Sequence, residues 1–201
     1  MVANKLFSIV ISGWPAVGKT TIACKLAEEF DIVMYNGGDI LKMLAEEDRG
    51  YSVKRDDWWD TTEAKKFMEE RKTDPSFDKK VDDKLIQIVR KGGTVITSYT
   101  LPWLVVDESV IIIKFWLRGS LENRAKRMAN RDDISFAEAK RITKMRDEEN
   151  KRIYYRLYGF RFGEDLTVFD YVLNTDTLSL DSLVEISKLI VRRHIGGQQQ
   201  H

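Results

Sequence analysis

The chain has 201 residues, with 33 lysines and arginines against 32 aspartates and glutamates and a formal net charge of +1. That length suits one α/β domain with insertions, and so balanced a charge argues against nucleic acid or an anionic membrane as a general partner. A single cysteine, Cys24, excludes a disulfide framework within the chain, and no apolar run approaches the length of a membrane span.

Residues 1–5 run into the first strand without a signal-peptide pattern, so a cytoplasmic protein is expected. Residues 6–12 are short, apolar and β-branched, which predicts a buried strand. Gly13-Trp14-Pro15-Ala16-Val17-Gly18-Lys19-Thr20 follows and fits G-x-x-x-x-G-K-[ST]. Ile22, Leu26 and Phe30 then recur at helical spacing, with Ala23 and Ala27 between them and Cys24 expected to fill core. Strand, glycine loop and helix is the order that phosphate binding needs. The glycines let backbone N–H groups turn toward one point, and the helix N-terminus adds unpaired donors and a positive dipole end. Residues 13–21, from Gly13 to Thr21, are therefore expected to hold ATP. Lys19 reaches the β- and γ-phosphates and the Thr20 hydroxyl ligates Mg²⁺. Trp14 is expected near the nucleotide by position.

Residues 31–36 predict a second strand, broken by Gly37-Gly38, with Asp39 as the N-cap of a helix over 40–47. A polar stretch carries Trp58-Trp59, read either as insertion packing or as a stacking surface for a base, and a helix is expected at 64–72. Asp74-Pro75 opens a helix to about 91, with Phe77, Val81, Leu85, Ile88 and Val89 on one stripe. Strands are predicted at 94–99 and 110–117. Ser120 caps a helix through 129, residues 131–133 break it, and Ser135 opens a long charged helix to about 157. A fifth strand at 170–174 and a helix over 179–191 close the fold. In that last helix Leu180, Leu183, Val184, Ile186, Leu189 and Ile190 are expected to face inward. His194 and His201 lie in or near a polar tail, which makes histidine catalysis and a His/Cys metal site poor expectations. Strands alternating with helices predict a five-stranded parallel sheet in one domain over 1–195, with insertions at about 38–91 and 127–158 and a disordered tail at 196–201.

Two further stretches carry a family resemblance. Tyr154-x-x-x-Tyr158-Gly159 followed by Asp165-Leu166-Thr167-Val168-Phe169-Asp170-Tyr171-Val172-Leu173-Asn174-Thr175 resembles the nucleoside monophosphate kinases, most closely the archaeal-type cytidylate kinases. Trp103 falls where that family has a tryptophan after its third strand. The resemblance implies the P-loop NTPase three-layer α/β fold with a helical monophosphate-binding insertion and a helical lid. It implies transfer of the ATP γ-phosphoryl to a nucleoside monophosphate, CMP or dCMP, with Mg²⁺. It assigns Arg127 to the ATP side, Arg131 and Arg146 with Lys19 to catalysis, and Asp39, Lys42, Tyr99 and Asn150 to the acceptor positions. Asp78 and Asp82 match an acidic pattern, although exposed helix carboxylates would read the same way. The arginines of 127–158 equally fit a solvated helix paired at i,i+4 with Asp147, Glu148 and Glu149.

The acceptor half departs from the family. Where the third strand ends in an acid, a glycine and an arginine, this chain has Thr97, Ser98 and Tyr99. Asn150 replaces an acid and Ile153 an arginine. A different acceptor would explain this, with Arg49, Arg55 and Arg71 as replacement charge. So would an ATP-binding, slowly hydrolysing regulatory protein on the same fold. ATP and a small nucleotide are the expected partners, without membrane or nucleic acid, and the oligomeric state is left open.

Overall fold

In the computed structural model, which describes residues 7–50, 66, 76–106 and 110–196, β1 (Phe7–Gly13), β2 (Val33–Asn36), β3 (Thr94–Thr97), β4 (Ile111–Arg118) and β5 (Tyr171–Asn174) form one sheet. The strand order is β2-β3-β1-β4-β5 and every pairing is parallel. β1 is central because it is buried on both faces, Ser8 and Ser12 being accommodated by hydrogen bonds to the Val89 and Tyr99 carbonyls. Ile9 and Ile11 pack under α1 (Lys19–Phe30) and α7 (Leu180–Gly196), while Val10 packs with α2 (Gly37–Arg49), α3 (Ser76–Lys91) and the short α4 (Leu101–Leu104). Helices on both faces of a parallel sheet make the three layers. α5 (Leu121–Asp132) and α6 (Phe136–Tyr158) pack on each other through Ala125, Met128 and Ala139. The chain order reverses beside β1, whose neighbours are β3 and β4, so a crevice opens at the carboxyl ends of these strands.

Several local expectations are corrected. α1 begins at Lys19, inside the glycine motif. α2 begins at Gly37, three residues before the expected start, because the Asn36 side chain accepts the Asp39 N–H at 3.0 Å. Asn36 is thus the cap, Asp39 is the third residue of the helix, and the two glycines form its first turn. α5 runs through Asp132, so Arg131 is helical and the break shifts to 133–135, opening on Asp133 in the left-handed region at φ 51°. Ser120 and Ser135 cap α5 and α6 as expected, accepting from the N–H groups of Asn123 and Glu138.

Cys24 is exposed beside Met34 rather than in the core. Leu180 and Leu189 are exposed as well, and the buried positions of α7 are Leu183, Val184, Ser187 and Val191. Ser187 is accommodated because its hydroxyl donates to the Leu183 carbonyl at 2.7 Å. His194 belongs to α7, where its ring meets the Tyr171 hydroxyl at 2.9 Å. The Trp58-Trp59 pair, Arg55 and Arg71 lie outside the described residues, as do residues 197–201 and all of the helix expected at 64–72 except residue 66.

Candidate active site

The site begins where β1 ends. Gly13 has φ 147° and faces Leu117 across the β1–β4 pairing, so closely that a Cβ would lie 2.3 Å from the Leu117 carbonyl oxygen. Only glycine fits there. Ala16 at φ 61° and Gly18 at φ 95° turn the chain back into α1. No side chain caps α1, whereas Asn36, Ser120 and Ser135 cap α2, α5 and α6. The first N–H groups of α1 are left for an anion. Val17 is buried and anchors the loop, while Thr20 and Thr21 are exposed on the first turn.

Lys19 folds back across the loop. Its Nζ donates to the carbonyls of Gly13 and Trp14, each at 2.9 Å, and stands 4.5 Å from the centre of the Tyr99 ring. Removal from water first, then the charges of Arg146 and Arg124, against the opposing pull of Asp147, lower its pKa to about 7. A phosphate beside Lys19 would reverse that shift. The sign follows directly. Below pH 7 the ammonium is already charged, and above it the free protein has lost the proton that the complex keeps. ATP affinity is therefore expected to fall as pH rises through 7, with about one proton taken up on binding at pH 8. Calorimetry in two buffers of different ionisation enthalpy checks this, and a Lys19→Met variant should take up none through this residue.

Trp14 leaves the loop sideways. Its ring meets Phe162 edge-on at 5.0 Å and Trp116 at 6.0 Å, so it is built into an aromatic cluster that also holds Tyr99, Trp103, Tyr154 and Phe160. Position alone suggested a nucleotide contact, whereas the ring serves to tie the loop to the chain beyond α6. Gly163, at φ 78°, leaves room for it, and a Cβ there would lie 2.1 Å from Trp14 Cζ2. Gly163→Ala is expected to cost about 1–3 kcal/mol through overpacking and to weaken ATP binding. Chemical denaturation and ATP titration of the variant measure the two effects.

Beside the loop lies a cavity of about 630 Å³. Lys19, Thr20 and Arg146 contribute to it, with Asn36, Gly37 and Gly38 from the start of α2, Thr97 to Thr100 from the end of β3, Asp78 and Asp82 from α3, and Asn150, Ile153 and Tyr154 from α6. The three departures from the family pattern, Tyr99, Asn150 and Ile153, all line this one cavity. Asp39 and Lys42, further along α2, are not among the lining residues. Asp82 is only 5% exposed and accepts hydrogen bonds from the Thr100 and Tyr158 hydroxyls. Burial raises its carboxyl to about 6 against those two bonds. The exposed-carboxylate reading therefore fails for Asp82.

The arginines of α5 and α6 have different surroundings. Arg127 donates to the Thr175 hydroxyl at 2.9 Å and to its carbonyl at 2.5 Å. Arg131 grips Asp132 with two bonds of 2.6 and 2.8 Å. Arg146 is exposed on the cavity side and makes no hydrogen bond or ion pair among the described residues. Arg124 and Asp147, to which the motifs assigned no role, form a buried two-bond ion pair at 2.8 and 2.6 Å. Local spacing cannot reveal it, because the partners stand on different helices 23 residues apart.

A glycine loop on an uncapped helix, a lysine folded over it and an arginine facing the same cavity define a P-loop kinase, and the relatives below place it in the nucleoside monophosphate class. The chain belongs to the cytidylate kinase-like family, whose model matches residues 8–177. It is 35% identical over 179 residues to the cytidylate kinase of Pyrobaculum aerophilum, covering 89% of each chain. It is 36% identical over 183 residues to that of Sulfurisphaera tokodaii, covering 90% of this chain and 92% of the other. Among solved structures, the shikimate kinase from Bacteroides thetaiotaomicron superposes with a TM-score of 0.55 at 14% identity, over 95% of this chain and 99% of that one. A gluconokinase from Sinorhizobium meliloti has the same TM-score and identity over 98% and 99%. These two show the fold alone. No described helix is long and apolar enough to cross a membrane.

Proposed function

We propose that the protein transfers the γ-phosphoryl of ATP to CMP or dCMP. The observation that carries this reading is the set of charges around the 630 Å³ cavity: Lys19, Thr20 and Arg146 supply cationic and phosphate-binding groups, Asp78 and Asp82 an acidic pair on α3, and Glu149 stands one turn from Arg146 on α6. Carboxylates accept hydrogen bonds from the exocyclic amino group of cytosine, and uracil presents an acceptor at that position instead. An acid-lined base site therefore favours cytosine over uracil. In this reading residues 13–21 and Arg127 hold ATP, and Lys19, Arg131 and Arg146 neutralise the transferring phosphoryl. Tyr99 and Asn150 belong to the acceptor side of the cavity, with Asp39 and Lys42 next to it on α2 but outside its wall. Tyr99 takes the place of a family arginine, yet its ring faces the Lys19 ammonium, so it supports the cation already there.

The oxygen donors of Thr20 and Thr97 in the cavity wall suit a hard cation such as Mg²⁺, whereas the Ser98 hydroxyl is taken by the N–H groups of Thr100 and Leu101. Among the described residues no group of three or more carboxylates, histidines or cysteines could hold a metal alone. Thr20 would therefore share the ion with nucleotide phosphates and water, and when bound Mg²⁺ neutralises β- and γ-phosphate charge. Family membership does not favour the regulatory, non-kinase alternative.

The test is a coupled assay of ADP formation with CMP, dCMP, UMP and AMP, each against a control without acceptor. CMP and dCMP are expected to give the highest kcat/KM. ADP formation no faster than the control with all four would overturn the reading.

A further inference from the structure

Arg124 is 4% exposed and makes four directed hydrogen bonds from its five N–H donors. Nε donates to the Gly119 carbonyl at 3.0 Å, one terminal nitrogen to the Pro15 carbonyl at 3.3 Å, and the fork as a whole to both oxygens of Asp147. Its guanidinium also lies 5.6 Å from the centre of the Trp14 ring. One side chain thus touches the phosphate loop at two successive residues, the start of α5 and the middle of α6.

Each contact has a geometric consequence. A trans peptide points its N–H opposite to its C=O, and no cis peptide occurs among the described residues. Drawing the Pro15 carbonyl toward Arg124 therefore aims the Ala16 N–H the other way. The bond sets one peptide plane of the loop, at the residue just before the strained Ala16. On α6, successive residues are turned by about 100°. With Asp147 locked inward on Arg124, Arg146 is held at one azimuth, on the cavity side where Lys19 and Thr20 also stand.

We propose that Arg124 and Asp147 are a positioning pair for phosphoryl transfer, holding the Pro15–Ala16 peptide of the phosphate loop and the azimuth of Arg146 through one buried ion pair. The loop and α6 are then a single unit, and a shift of either disturbs both the ATP phosphates and the arginine that faces them. The Arg146 half rests on the phosphotransfer reading above, while the Pro15 half needs only nucleotide binding.

The test exploits a property of buried ion pairs: replacing both partners with apolar residues of similar volume is often neutral or stabilising. The double variant Arg124→Met/Asp147→Leu is read for thermal midpoint, for affinity toward a non-hydrolysable ATP analogue with Mg²⁺, and for kcat with the best acceptor. A positioning role predicts a midpoint at or above wild type, analogue affinity down about tenfold and kcat down about 10²-fold, the scale expected of a misplaced catalytic group. A folded variant with affinity and kcat both within threefold of wild type overturns the proposal.

Should the double variant fail to fold, Arg124→Lys decides. It keeps the charge against Asp147 but loses the fork that reaches Pro15. Analogue affinity lowered at least fivefold supports the pair, and a change within threefold overturns it. If the kinase reading itself is wrong, wild type binds the analogue but phosphorylates no acceptor, and the affinity measurements still judge the Pro15 half.

Discussion

Lys19→Ala is expected to lower turnover by about 10²–10³-fold while leaving the protein at least as resistant to heat as wild type. The activity loss follows from preorganised charge, since removing one such donor to a developing anion costs about this much. The stability outcome follows from the surroundings of Lys19. Desolvation, with Arg146 and Arg124 nearby, drives its pKa down to about 7, which means the folded state holds the ammonium at a cost relative to the unfolded chain. The two loop carbonyls and the Tyr99 ring offset only part of that cost. Steady-state kinetics and a thermal melt measure the pair of effects. Full turnover in the variant would remove Lys19 from the mechanism, and a large fall in midpoint would mean that it is a structural residue.

The second large effect is expected at Arg146. Arg146→Ala should lower kcat by about 10³-fold, since an arginine at a phosphoryl-transfer transition state contributes about 10³–10⁵. The affinity for ATP should change little, because an interaction made only in the transition state lowers kcat without weakening substrate binding. The thermal midpoint should also be unchanged, as the side chain is exposed and makes no hydrogen bond or ion pair among the described residues. Arg146→Lys keeps a charge but loses the planar fork and should restore only part of the rate. Single-turnover kinetics together with ATP titration separate these outcomes. A kcat within threefold of wild type would reassign Arg146 to the solvated face of its helix.

The two residues mark how far pattern reading reaches. Lys19 sits inside a contiguous motif whose spacing dictates its geometry, so strand, loop and helix were all legible before any coordinates. Arg146 was legible only through the family resemblance, since a charged helix with Glu148 and Glu149 nearby gives the same local pattern whether it faces a cavity or water. Asp82 shows the same ambiguity with the opposite outcome. It reads as an exposed helix acid, yet the end of β3 and the Tyr158 hydroxyl bury it. Helix starts failed where a side chain one turn away competed for the cap. Asn36 took the role expected of Asp39 because its side-chain oxygen reached the Asp39 N–H first.

By itself the sequence determined the alternation of strands and helices, the phosphate loop with Lys19 and Thr20, and the family. Each of these depends on residues close together in the chain, where backbone sterics and hydrophobic period act directly. Only the tertiary structure decided that Tyr99, Asn150 and Ile153 share one cavity with Lys19 and Arg146, that Trp14 packs sideways over Gly163, and that Arg124 binds Asp147 beneath the loop. These pairings join residues far apart in sequence, and what selects among their possible partners is burial: once water is excluded, a guanidinium or a carboxylate must find its counterpart wherever the packed helices bring it.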